Sequence, residues 1–380
     1  MPLSRRTLLR QLGVSAVAST TIPSLGPHSL TANFPVQTSM APNGVIRLDR
    51  NENAYGPGEA SLAAMRSALD LSNRYPSLEI SDLVNKIASL HNVKPEQITL
   101  GAGSVEILRM AAETFLGEGK KVVLASPTFD LLARFAAGLG AGVTAVPLSA
   151  TYAHKLDGML AQTGNSTGLI YICNPNNPTG TLTLRKDLET FLRQLPGTSP
   201  IIIDEAYHHY VNASQGYASF IDHPLDDERL IVVRTFSKIY GLAGLRVGYA
   251  ISSPQLARRL SEHHLEFGVN AMGARAATAA LADTDHVRLN TKRNTDDRQE
   301  FFNQANARMN RWIDSHTNFV MMKGGLPPQQ IIEHFRKNKI LLGPLIQQMP
   351  NYIRISLGKP EEMLAFWRVW DALPAHPMAM

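Results

Sequence analysis

Residues 230–246 read LIVVRTFSKIYGLAGLR. The opening run, 230–235, is apolar and β-branched enough for a strand buried on both faces. Lys238 follows at once, flanked by Thr235 and Ser237, and Arg246 stands further along the same stretch. A lysine at the end of a buried strand is partly desolvated, which lowers its pKa and frees a neutral amine to attack a carbonyl. Lysines more often lie in exposed loops, so the neighbouring sequence has to decide between the two cases.

Working outward, short apolar runs at 98–100, 121–125, 143–146, 169–173, 201–204 and 248–252 read as further strands. Helical patterns at 105–116, 129–139, 184–195 and 255–267 fall between them. This alternation predicts an α/β fold, with a mostly parallel seven-stranded sheet flanked by helices as a large domain over residues 81–285. Residues 286–312 read as one long helix leading into a smaller α+β domain, 286–380. Residues 33–80 read as an N-terminal arm and part of that smaller domain.

In such a sheet, ligands collect at the carboxyl ends of the strands. The unusual residues fall there: GAGS (101–104), SPTF (126–129), NPNNPTG (174–180), DEAY (204–207) and TFSK (235–238). Asp204 ends the run 201–203 and could hold a proton on a heterocyclic nitrogen, although a buried carboxylate can equally be a helix cap. That proton is what pyridoxal phosphate needs in order to withdraw electrons from an attached substrate. Tyr207 and Asn177 could bond to the ring's phenolic oxygen. The turn Ala102-Gly103-Ser104 opens a helix, where free N–H groups favour a phosphate. Ser237 and Arg246 add a hydroxyl and a guanidinium, Thr235 orients that wall, and Phe129 offers a flat face to the ring.

Lys238, Asp204, Tyr207, Asn177 and Arg246 stand in an order and spacing that resembles the fold type I pyridoxal-phosphate enzymes, and the histidinol-phosphate aminotransferase group most of all. LDRNENAYGP (48–57) is similar to that group's NENPYGP signature, RYPS (74–77) to its RYP segment, and YIRISLG (352–358) to its carboxylate-binding segment. The resemblance covers residues 45–372. It implies a pyridoxal 5'-phosphate-dependent aminotransferase exchanging an amino acid with a 2-oxo acid in ping-pong fashion. Lys238 would carry the cofactor, Asp204 and Tyr207 would serve the ring, and Arg354 would grip a substrate carboxylate, with Asn53 and Tyr55 also at the substrate. It further implies a homodimer in which Tyr75 reaches the neighbouring subunit's cofactor phosphate. The sequence departs from the group at Gly343, in ILLGPL, and at Phe267, in EFGVN, where an arginine and a tyrosine usually serve the substrate phosphate. The same chemistry allows a decarboxylase of the O-phosphothreonine type, and a non-catalytic amino-acid binder is the rival outside enzymes.

Composition narrows the partners. Of 37 basic residues, Arg5, Arg6 and Arg10 fall within residues 1–32, leaving 34 against 32 acids. A near-neutral body argues against nucleic acid as a partner. Ser4-Arg5-Arg6-Thr7-Leu8-Leu9 resembles a twin-arginine export signal, so residues 1–32 read as a signal peptide and the expected compartment is the periplasm, the cytoplasm being the alternative. No segment is apolar enough for stable membrane association. The single cysteine, Cys173, forms no intrachain disulfide and reads as a small core residue. His208-His209 and His263-His264 read as surface or pocket-rim pairs rather than metal ligands.

Overall fold

Along the central strands, apolar side chains alternate between two cores. Val122 and Leu124 join one and Val123 the other; Leu169, Tyr171 and Cys173 face away from Ile170 and Ile172; Ile202 faces away from Ile201 and Ile203. Successive residues of a strand point to opposite faces, so a run that is apolar at every position needs a layer on each side. The computed structural model, which describes residues 44–211 and 216–374, supplies both layers. The export-like motif lies outside the described residues.

β1 (Ile46–Leu48) lies apart from the central sheet. The sheet itself holds β2 (Ile98–Ala102), β3 (Lys121–Ser126), β4 (Gly142–Pro147), β5 (Thr167–Cys173), β6 (Ile201–Asp204), β7 (Leu230–Thr235) and β8 (Val247–Ser252). Their order is β2-β8-β7-β6-β5-β3-β4. Only β8 runs antiparallel to its neighbours, so the ends of β2, β3, β5, β6 and β7 share one edge. The register sets Cys173, Asp204 and Val233 side by side.

Gly103 and Gly248 allow that edge to close. A Cβ on Gly248 would run into the backbone at Gly103 and Ser104, and one on Gly103, whose φ is +78°, would meet the Arg246 guanidinium.

A third core gathers Leu48, Phe301, Phe335, Ile340, Ile353, Ile355, Phe366 and Trp367. β10 (Phe319–Lys323) pairs antiparallel with β9 (Arg311–Trp312) and β12 (Tyr352–Ser356), while β1 pairs parallel with β11 (Ile340–Leu342). The first strand of the described chain therefore packs with its last third. The helix Thr284–Ala307 reaches this core through Phe301 and Ala305, its start capped by Asp283 accepting from His286 N at 3.0 Å.

Two expectations need correcting. The helix expected over 255–267 is Pro254–Ser261, followed by turns. The long helix stops at Ala307, and Arg311–Trp312 forms β9 instead. The helices Glu59–Ser67, Ser77–His91 and Ala271–Ala282 went unread. Ala271–Ala282 is mostly alanine, which hides any apolar stripe but lets Ser61 Oγ come within 3.2 Å of Ala276 O.

Candidate active site

Lys238 lies just beyond β7, half-buried, with its Nζ donating to the carbonyls of Asn51 (2.9 Å) and Arg50 (3.3 Å). Burial, reinforced by the Arg354 and Arg246 charges, brings its pKa down to about 8. Its ammonium lies 5.4 Å from the centre of the Tyr207 ring.

Asp204 ends β6 on the face that also carries Tyr171, because both follow the alternation of their strands. Tyr171 donates its hydroxyl to Oδ2 at 2.8 Å, and Ala206 N donates to Oδ1 at 3.1 Å. Burial nevertheless raises Asp204 to about 6, with the two hydrogen bonds pulling the other way. No ion pair reaches it among the described residues. The Tyr207 hydroxyl accepts from Asn51 Nδ2 at 3.1 Å, and burial raises its pKa, so it stays a neutral donor.

Arg354, on β12, donates to Asn177 Oδ1 (2.9 Å) and to the Asp49 carbonyl (3.0 Å), while its Nε is buried with no partner. Gly343 lies against it: its N–H donates to Arg354 O at 3.0 Å, and a Cβ there would sit 3.2 Å from Nε. Arg246, with φ +55°, donates to Ala243 O (2.9 Å) and Ser237 Oγ (3.3 Å), and Ser237 N donates to Thr235 Oγ1 (3.1 Å). These groups and Ser104, which opens the helix Ser104–Phe115, make a cationic, donor-rich surface.

The structure thus brings together Lys238, Asp204, Tyr207, Asn177 and Arg354, with Thr235, Ser237, Arg246, Gly103 and Ser104 along one side. Ala102 and Gly103 offer less than expected, since the Ala102 N–H is committed to Glu106 Oε2 and that of Gly103 to Gly101 O. Phe129 packs on the second core, its turn tied down by Thr128 Oγ1 donating to Asn176 Oδ1 at 2.7 Å. Asn53 and Tyr55 are directed elsewhere, to Ile239 O (2.8 Å) and Asp297 Oδ2 (2.8 Å). From that segment it is Asn51, at φ +54°, that joins Lys238, Tyr207 and Ser356. Asparagine is among the few side chains that tolerate this backbone conformation. Tyr75 is 77 % exposed and stacks on Phe267 at 4.5 Å.

His208 and His209 sit deeper than the sequence suggests. His208 pairs with the Tyr217 hydroxyl (3.1 Å) and His209 with that of Tyr240 (3.2 Å), and burial lowers both pKa values. His264 is exposed and Cys173 packs in the second core. Among the described residues, no cluster of three or more potential metal ligands occurs.

An amine for an aldehyde, a buried carboxylate lacking a cation, and a guanidinium-hydroxyl cradle fit pyridoxal phosphate in each of its parts. Residues 43–367 match the aminotransferase class I and II family. The histidinol-phosphate aminotransferase of Caldicellulosiruptor saccharolyticus is 35% identical over 324 residues, covering 85% of this chain and 90% of that protein. That of Staphylococcus carnosus is 34% identical over 343 residues, covering 90% and 92%. Among solved structures, histidinol-phosphate aminotransferase from Sinorhizobium meliloti in complex with pyridoxal-5'-phosphate aligns at TM-score 0.80 and 28% identity, over 87% of this chain and 92% of that one. The L-threonine-O-3-phosphate decarboxylase of Porphyromonas gingivalis, 17% identical over 86% of this chain and 99% of that one, shares the fold at TM-score 0.73.

Proposed function

The chain belongs to the class I and II aminotransferase family and is a pyridoxal-phosphate-dependent aminotransferase; we propose that it exchanges the amino group of a carboxylate-bearing amino acid with a 2-oxo acid at the site around Lys238. The carrying observation is the pairing of a half-buried amine, brought down to about 8, with a buried carboxylate that has no cation of its own.

When bound, the cofactor supplies a reactive aldehyde and a cationic ring that draws electrons from the substrate. Lys238 is the amine that attaches it and, once released, carries a proton away from the substrate α-carbon and returns one. Asp204 holds the proton at the ring nitrogen, with Tyr171 and Ala206 fixing its orientation. Tyr207 and Asn177 would serve the ring oxygen, Phe129 would cover the ring, and Arg246, Ser237, Thr235 and Ser104 would hold the phosphate, Gly103 leaving room for the Arg246 guanidinium. Arg354 would hold the substrate carboxylate, a role for which guanidinium is well suited.

A carboxylate rather than a phosphate as the substrate's anchor is supported by two positions. Gly343 has no room for a side chain beside Arg354, and Phe267 carries no hydroxyl. A buried dianion needs several partners. A homodimer is supported by Tyr75, Leu78 (77 % exposed) and Leu265 (56 % exposed), apolar groups that a second copy would cover. Export through a twin-arginine route is supported by residues 4–9, and it fits a protein that loads its cofactor before crossing the membrane.

The test is a screen of amino donors against 2-oxoglutarate with the cofactor-loaded protein, with histidinol phosphate included. We expect turnover with carboxylate-bearing amino acids and a new amino acid as product. Release of CO₂ without amino transfer, or histidinol phosphate as the preferred donor, would overturn the reading.

A further inference from the structure

A small cavity of about 10 Å³ lies between residues 52–55, the helix Thr284–Ala307 and Asn318. It has room for one water-sized occupant. Its lining includes Tyr55, Tyr210, Asn290, Asn294, Asp297 and Asn318. The asparagines all present the same chemistry. Asn290 Nδ2 donates to His286 O (3.0 Å), Asn294 Nδ2 to Thr317 O (3.3 Å), and Asn318 Nδ2 to Asn51 O (3.0 Å) and Glu52 O (3.1 Å).

With every amide nitrogen committed, the oxygens are the ends left over. Asn290 Oδ1 and Asn318 Oδ1 are buried with no partner, on residues only 2% and 4% exposed. Folded proteins rarely leave such acceptors unmet. The Tyr55 hydroxyl is already donated to Asp297 Oδ2 at 2.8 Å. Asp297 itself is held above the usual carboxylate range chiefly by burial, with Asp296 adding to the rise and the Tyr55 hydrogen bond and the Arg293 charge opposing it.

We propose that this cavity binds a monovalent cation, Na⁺ or K⁺, through the amide oxygens of Asn290 and Asn318, with Asp297 supplying the charge. Carbonyl-type oxygens replace the hydration shell of such ions. Mg²⁺ keeps several waters and Ca²⁺ is usually met by more than one carboxylate, whereas this lining offers the single carboxylate of Asp297 beside neutral amides, a balance that suits one positive charge. The site also touches the catalytic lysine at one remove. The cation orients the Asn318 amide, and its nitrogen holds the Asn51 carbonyl that accepts from Lys238 Nζ at 2.9 Å.

The experiment takes the full-length, cofactor-loaded protein into tetramethylammonium chloride and titrates in NaCl or KCl at constant ionic strength. The melting temperature should rise saturably by about 2–4 °C, with turnover following the same curve. Asn290→Leu should abolish the response, and Asn290→Asp should move it to lower cation concentration. Superimposable melts in all three salts would mean that the occupant is a water and would overturn the proposal. So would an unchanged response in Asn290→Asp. The melting readout does not depend on the substrate assignment, so either reading can fail alone.

Discussion

Asp204 and Glu205 are adjacent, both acidic and both buried, yet their surroundings differ completely. Glu205 accepts from Arg234 (3.1 Å), Ser219 Oγ (2.6 Å) and Phe220 N (2.8 Å), and Arg234 reaches on to Asp222 at 3.1 Å. Asp204 has two neutral donors and, among the described residues, no cation in ion-pair contact. A buried charge left electrically incomplete costs stability, so the contrast marks which carboxylate is structural and which awaits a cationic ligand. Lys238 belongs with Asp204, being held in a state it would not choose in water.

The sharpest way to break that contrast is Lys238→Ala. Turnover should fall by about 10⁴-fold or more, and borohydride should trap no adduct on the Lys238 peptide, while the apo protein melts no lower than wild type. Substantial residual transamination would end the case for Lys238.

Next comes the pair Asp204→Asn and Glu205→Gln. Asp204→Asn should reduce turnover by about 10²–10³-fold and yet stabilise the apo protein near neutral pH. The sign follows from linkage. Asp204 titrates near 6 in the folded chain against 3.8 unfolded, so the native state binds the proton more readily. Stability is therefore lost as pH rises through that window, and the penalty is complete above about 6. Melts at pH 4 and pH 7.5 should show the stabilisation mainly at the higher pH. Glu205→Gln should instead destabilise the fold by about 3 kcal/mol, because it takes away the buried carboxylate partner of Arg234 and leaves only the more exposed Asp222, with turnover of the surviving folded protein little changed. Equal destabilisation by both would erase the distinction drawn here.

A smaller effect should appear in the pH dependence of aldehyde attachment. The rate should rise with pH and level off above about 8, where Lys238 is neutral. Arg354 is the largest charge pushing this amine down, so Arg354→Leu should move the inflection upward. An inflection near the ordinary lysine value in the wild type would show that burial does not act as described. Because the folded pKa lies below the unfolded 10.5, this group adds stability only as pH climbs from about 8 toward that value.

How much of this was legible in the sequence depended on which signal carried it. The strands showed because parallel strands covered on both faces are continuous apolar runs, and Asp204 and Lys238 stood at the ends of such runs; Arg354, on an antiparallel strand, was legible only through the resemblance of YIRISLG. Asn51 was missed although it lies in the same motif as Asn53. Only the backbone turn at φ +54° decides which asparagine faces Lys238, and that turn depends on partners more than 150 residues away. His208 and His209 looked like rim residues because their partners, Tyr217 and Tyr240, are brought in by tertiary packing. Tyr171 read as an apolar strand residue because nothing local distinguishes a core tyrosine from one whose hydroxyl meets a carboxylate across the sheet.

Tyr171→Phe therefore gives the smallest and most discriminating test. The hydroxyl donates to Asp204 Oδ2 and favours its ionised form. Its loss should raise the Asp204 pKa further and move the acid limb of the pH profile upward. A hydrogen bond to a charged group is worth roughly 1.5–3 kcal/mol, only part of which would reach the bound ring, so turnover at neutral pH should fall by about 3–10-fold. A purely structural tyrosine would lower the melting temperature and leave the profile in place. Repeating the change in the Asp204→Asn background separates the two roles, because a hydroxyl acting through the carboxylate has nothing left to act on. If Tyr171→Phe costs as much turnover there as in the wild type, Tyr171 serves the core and not the carboxylate.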